Sequence, residues 1–237
     1  MATILPFKAV RPTRDKVGLF ATRTYLSYSR KGLSEKLLNN PFTFLQIINP
    51  NFNQKKTLQE NQKFELIKKK YKSFLDQEII KKDKTKAFYI YYLNHEGNKY
   101  KGIIASASTE EYEKGIIKKH EKTLKKREAL FTEYLSKIKF NADPVLLSYK
   151  SNKKINSLIE KLSNGRAEYE FTTSNKALHK LWIISDSKDI LDIQNEFKKV
   201  NSLYIADGHH RTESSYQLSK SNGIKHFMSL LIDENDL

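Results

Sequence analysis

Residues 203–212 read LYIADGHHRT, and this stretch decides how we expect the C-terminal part of the chain to fold. The mostly apolar residues 203–206 predict a short buried strand. Residues 212–221 predict a helix that stops at Asn222 and Gly223. Residues 207–211 are then left as a tight turn between the strand and the helix.

This turn carries residues that suit a phosphate group. Gly208 allows the backbone to come close to a ligand, and the free N–H groups of the following helix attract an anion. Arg211 adds a forked cationic donor. His209 and His210 are titratable, and Asp207 is expected to hold a magnesium ion or to orient an imidazole. The local sequence predicts a phosphate-binding turn.

Two other interpretations of the turn were weighed. A zinc site is disfavoured, because adjacent side chains diverge at a turn and no cysteine or HExxH spacing completes a tetrahedral ligand set. The structural alternative is a helix start whose histidines bond only to neighbouring carbonyl groups. The sequence leaves phosphate binding and this alternative both open.

Composition bounds the class of protein. At 237 residues we expect one domain over 1–237, with a core supplied partly by 13 Tyr and 13 Phe. The absence of cysteine excludes disulfides and thiolate chemistry. No long apolar span and no signal-peptide pattern are present, which predicts a cytoplasmic protein without membrane contact. A formal charge of +16 favours anionic partners, although a general excess of lysine explains it equally well.

Predicted strands and helices alternate irregularly after an extended N-terminal segment, 1–30. The predicted helices cover 34–39, 58–80, 108–139 with a break allowed near Gly115, 151–163, 186–200 and 212–221. The predicted strands cover 42–48, 145–149, 203–206 and 226–232, with hairpins at 87–106 and 167–185. This pattern predicts an α+β fold with a mixed sheet, hairpins and packed helices.

A second candidate site lies in the predicted helix 108–139. Lys119, His120 and Arg127 can share one helical face, which would form an anion-facing stripe beside Glu121. The alternative is an ordinary solvated face with Glu121 paired to Lys125. Both interpretations remain open.

Four segments together carry a resemblance to a known family. They are YIADGHHR at 204–211, PFKAVRP at 6–12, NPFTFL at 40–45 and IKKHEKT at 117–123. In this order they resemble a widespread uncharacterised bacterial and archaeal family placed in the ParB/sulfiredoxin superfamily and related to free-serine kinases. The resemblance implies a ParB/sulfiredoxin-like core whose Gly-x-x-Arg turn, here 208–211, binds nucleotide phosphates. Sulfiredoxin chemistry is excluded, because His209 stands where that turn has cysteine.

The chain departs from this resemblance in two places. The family's tyrosine-aspartate pair is Tyr25-Leu26 here, so the aspartate's role is missing. The relatives are longer, whereas this chain ends just after the predicted strand 226–232. The resemblance therefore implies a short or C-terminally truncated member.

The expected function is phosphotransfer in small-molecule metabolism, with free serine as one acceptor that the resemblance suggests. Residues 208–211, Lys119 and Arg127 would bind the phosphates of ATP or ADP. Mg²⁺ would be held partly by Asp207. The candidate catalytic groups are those that can move a proton or orient a neighbour, namely His120, Glu121, Asp207, His209 and His210.

Three alternatives to this function stay open. The same turn would serve a phosphatase acting on phosphoserine or a similar monoester. The net charge of +16 instead favours a ParB-like nucleic-acid-binding protein, although no helix-turn-helix is recognisable after the turn. The chain would otherwise be an inactive remnant with a regulatory role. The sequence gives no indication of oligomeric state.

Overall fold

The computed structural model of this chain describes residues 1–52, 58–121 and 123–237. Its strands are β1 Ile4–Leu5, β2 Val10–Pro12, β3 Ile80–Lys82, β4 Phe88–His95, β5 Asn98–Ser108, β6 Ile117–Lys118, β7 Val145–Tyr149, β8 Tyr169–Thr172, β9 Leu178–Ile184, β10 Leu203–Asp207 and β11 His226–Asp233. Its α-helices are α1 Val17–Phe20, α2 Arg30–Asn39, α3 Leu45–Ile48, α4 Glu60–Asp76, α5 Thr109–Glu113, α6 Lys125–Ile138, α7 Lys153–Leu162, α8 Ser187–Phe197 and α9 His209–Asn222. Short 3-10 helices lie at Tyr25–Ser27 and Glu234–Asp236.

The chain forms two compact units. One unit comprises Met1–Ala9 and Lys84–Leu237, and the other comprises Val10–Asp83. We call them the sheet unit and the inserted unit. Compact units of this kind can fold together or separately, so the single domain expected from the sequence stays a prediction.

The inserted unit is mainly helical, with β2 and β3 paired antiparallel. Leu33, Leu37 and Leu45 form a small core, which brings α2 and α3 together. The segment 42–48 was predicted to be a strand, and this is wrong, because it contains the helix α3. A short apolar run fits a buried strand or a buried helix equally well. In the helix α3, Leu45 packs against Leu33 and Leu37 of α2.

The sheet unit is built on a nine-stranded mixed sheet with the order β6-β10-β7-β11-β5-β4-β9-β8, and β1 pairs with β5 beside this path. The two predicted hairpins are present, as β4 with β5 and β8 with β9. The prediction of an α+β fold with a mixed sheet is confirmed. The segment 1–30, predicted as extended, contributes β1 to this sheet and continues into the inserted unit through β2 and α1.

Helices α7 and α8 cover part of the sheet. Their buried residues Ile155, Ile159, Ile193 and Phe197 join the main core. On β7, residues 145, 147, 148 and 149 are buried, and the ring of Tyr149 meets that of Phe197 at 5.3 Å. This strand is therefore covered on both faces.

The predicted helix over 108–139 is wrong as a single element. The chain instead forms α5, then the short strand β6, then α6, and residue 122 lies outside the described residues. Gly115 ends α5 with a φ of 71°, at the place where the sequence allowed a break. Ile117 is then buried beside β10, so tertiary pairing outweighs local helix propensity.

Strand pairing brings the two candidate segments together. β6 runs parallel to β10, with Ile117 opposite Leu203, and β7 runs antiparallel to β10, with Leu146 opposite Asp207. The residues that follow β6, those that follow β10 and those that precede β7 therefore lie at one end of the sheet. Within the described ranges, no helix has the length and apolarity needed to cross a bilayer.

Candidate functional site

The turn after β10 places a glycine at the start of a helix. Gly208 has a φ of 98°, in the left-handed region that favours glycine, and α9 begins at the next residue. The N–H of Thr212 donates to the Gly208 carbonyl at 2.9 Å. No side chain in the described part of the chain caps this helix start. The helix begins three positions before the predicted start at 212, so the N–H groups of residues 209–211 belong to its first turn.

Arg211 bridges two carboxylates across this turn. Its Nη2 donates to Asp207 Oδ2 at 2.6 Å, and its Nη1 donates to Asp143 Oδ2 in the segment before β7. The guanidinium lies against Gly208, because a Cβ atom built at Gly208 would be 2.9 Å from Arg211 Nε. We call Asp143, Arg211 and Asp207 the carboxylate bridge. A side chain at position 208 would displace it.

The Asp143 carboxylate is unusual among surface acids. Desolvation raises its pKa, the Arg211 guanidinium lowers it and the nearby Asp207 carboxylate raises it again, with a net upward shift. Desolvation is the largest of these causes, and repulsion from Asp207 adds to it. One guanidinium thus holds together two carboxylates that repel each other.

Three consecutive side chains of the turn carry a buried nitrogen without a hydrogen-bond partner. These atoms are His209 Nε2, His210 Nδ1 and Arg211 Nε. A buried polar group that makes no hydrogen bond costs about 1–3 kcal/mol, so native proteins seldom keep several together. At these atoms the histidines do not bond to neighbouring carbonyl groups, contrary to the structural alternative weighed from the sequence.

His209 meets the segment that follows β6. Its ring lies edge to face with that of His120, at 4.5 Å between centroids, and its Nδ1 is 3.7 Å from Glu121 Oε2. Burial lowers the pKa of His209, and so do His120 and His210, while Glu121 and Asp207 oppose the shift. The net shift is downward, so His209 is neutral near pH 7 and able to accept a proton.

These opposing causes give a prediction for two variants. Glu121→Gln removes a charge that raises the His209 pKa, so we expect that pKa to fall further. His120→Asn removes a group that lowers it, so we expect the pKa to rise. Titration of the imidazole signals by NMR, with His226 as an internal reference, measures both shifts. Shifts of the two variants in the same direction would contradict the arrangement.

A second layer of polar groups lies one helical turn beyond His209. Glu213 is buried, accepts a hydrogen bond from Tyr112 at 2.6 Å and lies 3.7 Å from Lys119 Nζ. Burial raises the pKa of Glu213, but hydrogen bonds from Tyr112 and Gln217 and the charge of Lys119 lower it more, so the carboxylate stays ionised. This carboxylate holds the ammonium group of Lys119 beside α9.

Most of the site residues predicted from the sequence lie close together at the turn 207–211. Three residues that contact them were not predicted from the sequence. Lys119, His120 and Glu121 follow β6, whereas they had been placed on a helix. Arg127 is exposed on α6, and the described contacts do not connect it to the turn. The missed residues are Asp143, Tyr112 and Glu213; only Glu213 had a local signal, its position four residues after His209.

A magnesium site at Asp207 has limited protein support. Among the described residues, no group of three or more His, Asp or Glu side chains is arranged to enclose a metal ion. Asp207 and Asp143 nevertheless converge on one guanidinium. Mg²⁺ commonly uses one or two protein carboxylates together with phosphate oxygens and water, which fits this donor set.

A groove lies elsewhere, between α7 and α8. It encloses about 620 Å³ and is lined mainly by lysines and two carboxylates: Lys153, Lys154, Lys161, Lys199, Asp192 and Glu196. Lys199 is paired with Glu196. The groove is basic and open, and it shares no residue with the turn.

Comparison with known proteins identifies a family without a known activity. Residues 4–237 match the family described as "Protein of unknown function (DUF1015)". No curated protein and no solved structure matches the chain. This result corrects the resemblance drawn from the sequence, since nothing in it indicates the ParB/sulfiredoxin superfamily or a relationship to serine kinases. The motifs pointed to an uncharacterised family, but the superfamily given to it was wrong, because a short Gly-x-x-Arg turn can occur on unrelated folds.

Proposed function

This chain belongs to the DUF1015 family of proteins of unknown function, and we propose that it is a phosphotransfer enzyme that holds the phosphate of a nucleotide or another small molecule at the turn 207–211. The proposal rests on the site alone, because neither the family nor the fold supplies a reaction.

One observation carries the proposal, the run of unpartnered buried nitrogens at residues 209–211. They lie in the first turn of a helix whose N–H groups and dipole favour an anion. Phosphate oxygens accept several hydrogen bonds at once, so a single phosphate group can satisfy Arg211 Nε–H together with each imidazole nitrogen that carries a proton. A merely structural turn would leave their cost unexplained.

The neighbouring groups support a transfer reaction as well as binding. His209 is neutral and lies beside His120 and Glu121, so a proton can be taken from or returned to an oxygen at this site. Lys119 adds a positive charge that Glu213 keeps in place. Phosphoryl transfer depends mostly on positioning and charge neutralisation, and Arg211 and Lys119, with a cation held partly by Asp207, would supply both.

The direction of transfer and the acceptor are separate questions. A kinase using ATP or ADP and a phosphatase acting on a monoester need the same phosphate seat. Free serine and phosphoserine were suggested by the resemblance that the family match overturns, so they enter the test only as two compounds among several hydroxyl acceptors and phosphomonoesters.

The test compares the wild-type chain with Arg211→Ala, with Arg166→Ala as the control, because Arg166 is an exposed arginine between α7 and β8. Each is incubated with Mg²⁺, ATP or ADP and a panel of hydroxyl compounds, or with phosphomonoesters alone, and phosphate is followed by ³¹P NMR. We expect turnover to fall by about 10³-fold or more in Arg211→Ala, the size seen when an arginine stabilises phosphoryl transfer. Arg166→Ala should retain wild-type turnover. Binding of no phosphate compound by the wild type would refute the proposal.

Nucleic-acid binding is the competing function, and the charge of +16 together with the lysine-lined groove favours it. It predicts affinity for DNA or RNA that drops steeply as salt rises. It also predicts that Lys154→Ala weakens binding, whereas Arg211→Ala has no effect on it. Fluorescence anisotropy of a labelled oligonucleotide at several salt concentrations separates the two functions.

A further inference from the structure

The carboxylate bridge occupies the place where a phosphate would bind. The guanidinium of Arg211 lies on Gly208, with Nε, Nη2 and Cζ all within 3.3 Å of the position of an added Cβ. Gly208 is the residue just before α9, so the guanidinium lies at the start of this helix. A phosphate placed against Gly208 would displace the guanidinium.

The charges around the turn also oppose a bare phosphate. The carboxylates of Asp143, Asp207 and Glu121 lie close to the turn, while Arg211 is the cation shared by the first two. The next cation, Lys119, is already near Glu213. A phosphate that arrived alone would meet more negative than positive charge, and this repulsion would oppose its binding.

A divalent cation removes both obstacles. Asp143 and Asp207 have side chains that are 65 % and 73 % exposed, so an ion from solvent can reach their oxygens. An ion held by the two carboxylates would take over the role of the guanidinium as their shared counter-charge. Arg211 would then be free to turn its fork towards the phosphate, where its unpartnered Nε would also find an acceptor.

We propose that the carboxylate bridge is a divalent-cation site that Arg211 closes in the free protein, and that a cation and a phosphate compound open it together. The cation binds Asp143 and Asp207, and the phosphate binds Arg211 and the first turn of α9. This inference rests on the proposed function and adds to it the ligand class, a magnesium complex of a phosphate compound. Beside the two carboxylates, the buried and unpartnered His209 Nε2, in a side chain only 7 % exposed, is the observation at this turn that points to a bound ligand.

The mechanism has one measurable consequence, a coupling between the two ligands. A cation alone replaces the contacts of Asp143 and Asp207 but leaves Arg211 without an acceptor, and a phosphate alone does the reverse. The two ligands together replace the contacts of all three side chains. We expect Mg²⁺ to strengthen pyrophosphate binding by about 5- to 150-fold, the range of ordinary coupling between sites. By reciprocity, pyrophosphate must strengthen cation binding by the same factor.

Isothermal titration with inorganic pyrophosphate, with and without Mg²⁺, measures the first half of this coupling. The EPR signal of free Mn²⁺, with and without pyrophosphate, measures the second half. Asp143→Asn removes one carboxylate from an exposed position, so the fold should persist, as circular dichroism would verify. In this variant we expect the coupling to be lost, even though the magnesium pyrophosphate complex still forms in solution. Asp192→Asn on α8 makes the same chemical change in the lysine-lined groove and should keep the wild-type coupling.

The outcomes separate this inference from the proposed function. If pyrophosphate binds equally well with and without Mg²⁺, or if Asp143→Asn couples as the wild type does, the cation site is refuted while phosphate binding stands. If pyrophosphate, ATP and ADP all fail to bind under either condition, the proposed function fails and the inference fails with it. The cation site and the proposed function are both supported if the wild type and Asp192→Asn show coupling and Asp143→Asn does not.

Discussion

Gly208→Ala should weaken phosphate binding strongly, whereas Gly223→Ala should leave it unchanged. The two glycines form a matched pair, because both have positive φ, 98° and 74°, and they stand at the two ends of α9. A left-handed conformation costs a residue with a Cβ about 1–2 kcal/mol. We therefore expect both variants to lose a similar amount of unfolding free energy.

The surroundings of the two glycines differ, and this difference isolates the site. A Cβ at Gly223 would meet nothing within 4 Å, whereas at Gly208 it would press on the guanidinium of Arg211. That group is the end of a flexible side chain, so it should move aside without disrupting the fold. The new methyl group would then fill the space that a phosphate needs, so we expect pyrophosphate to bind more weakly.

Urea unfolding and pyrophosphate titration in the presence of Mg²⁺ measure the two effects separately. Equal losses of stability, with pyrophosphate binding weakened by about 10- to 150-fold only in Gly208→Ala, the loss of one hydrogen bond to a charged group, would match this account. If both variants bind pyrophosphate as the wild type does, the turn at Gly208 is not the phosphate seat.

The strand-turn-helix around Gly208 could be predicted from the sequence because its signals are local. An apolar run, a glycine and a helix stop at Gly223 lie within about two dozen residues, and each has a direct physical meaning. The hairpin strands β4, β5, β8 and β9 were predictable for the same reason. Elements whose form depends on distant partners were not, as β6 and α3 illustrate.

The partners of the turn could not be predicted, because the sheet brings them from far along the chain. Asp143 stands 68 residues before Arg211, and its only local context is the start of a strand. Its role depends on β7 being next to β10, which no local pattern indicates. Lys119, His120 and Glu121 were selected from the sequence, but their convergence with the turn follows from the parallel pairing of β6 with β10.

Helix α9 shows a further limit of sequence patterns. Residues 212–215 are buried although they read TESS, so its inner face is polar and no apolar stripe marks it. Polar groups remain buried only when they are hydrogen-bonded, and here Ser214 donates to the Glu128 carbonyl while Glu213 accepts from Tyr112. Because packed helices are usually amphipathic, a sequence pattern predicts that these polar residues are exposed to solvent, whereas they are buried.

The substitution His209→Asn should lower turnover by about 10²- to 10⁴-fold, the usual contribution of a general acid or base. Binding of magnesium pyrophosphate should change much less, because the helix N–H groups and Arg211 remain. His120→Asn should have a smaller effect on turnover, since His120 has an exposed side chain and acts on the lowered pKa of His209 rather than in place of it. Steady-state kinetics and pyrophosphate titration of both variants test this order, and equal losses in the two would assign the proton transfer elsewhere.

The pH dependence of stability distinguishes this chemical role from a structural one. The folded protein lowers the pKa of His209, mainly through burial, so the unfolded chain binds a proton near pH 6.5 that the folded chain resists. The contribution of neutral His209 to the free energy of unfolding is therefore fully present above the pKa of the unfolded chain. It declines as pH falls from about 6.5 towards the lower pKa of the folded protein. In His209→Asn this part of the decline should disappear, leaving the contributions of His179 and His226, whose pKa values are also lowered. A variant whose stability profile between pH 7 and 5 equals that of the wild type would show that His209 is not held neutral by the fold, and the proton-accepting role would lose its physical basis.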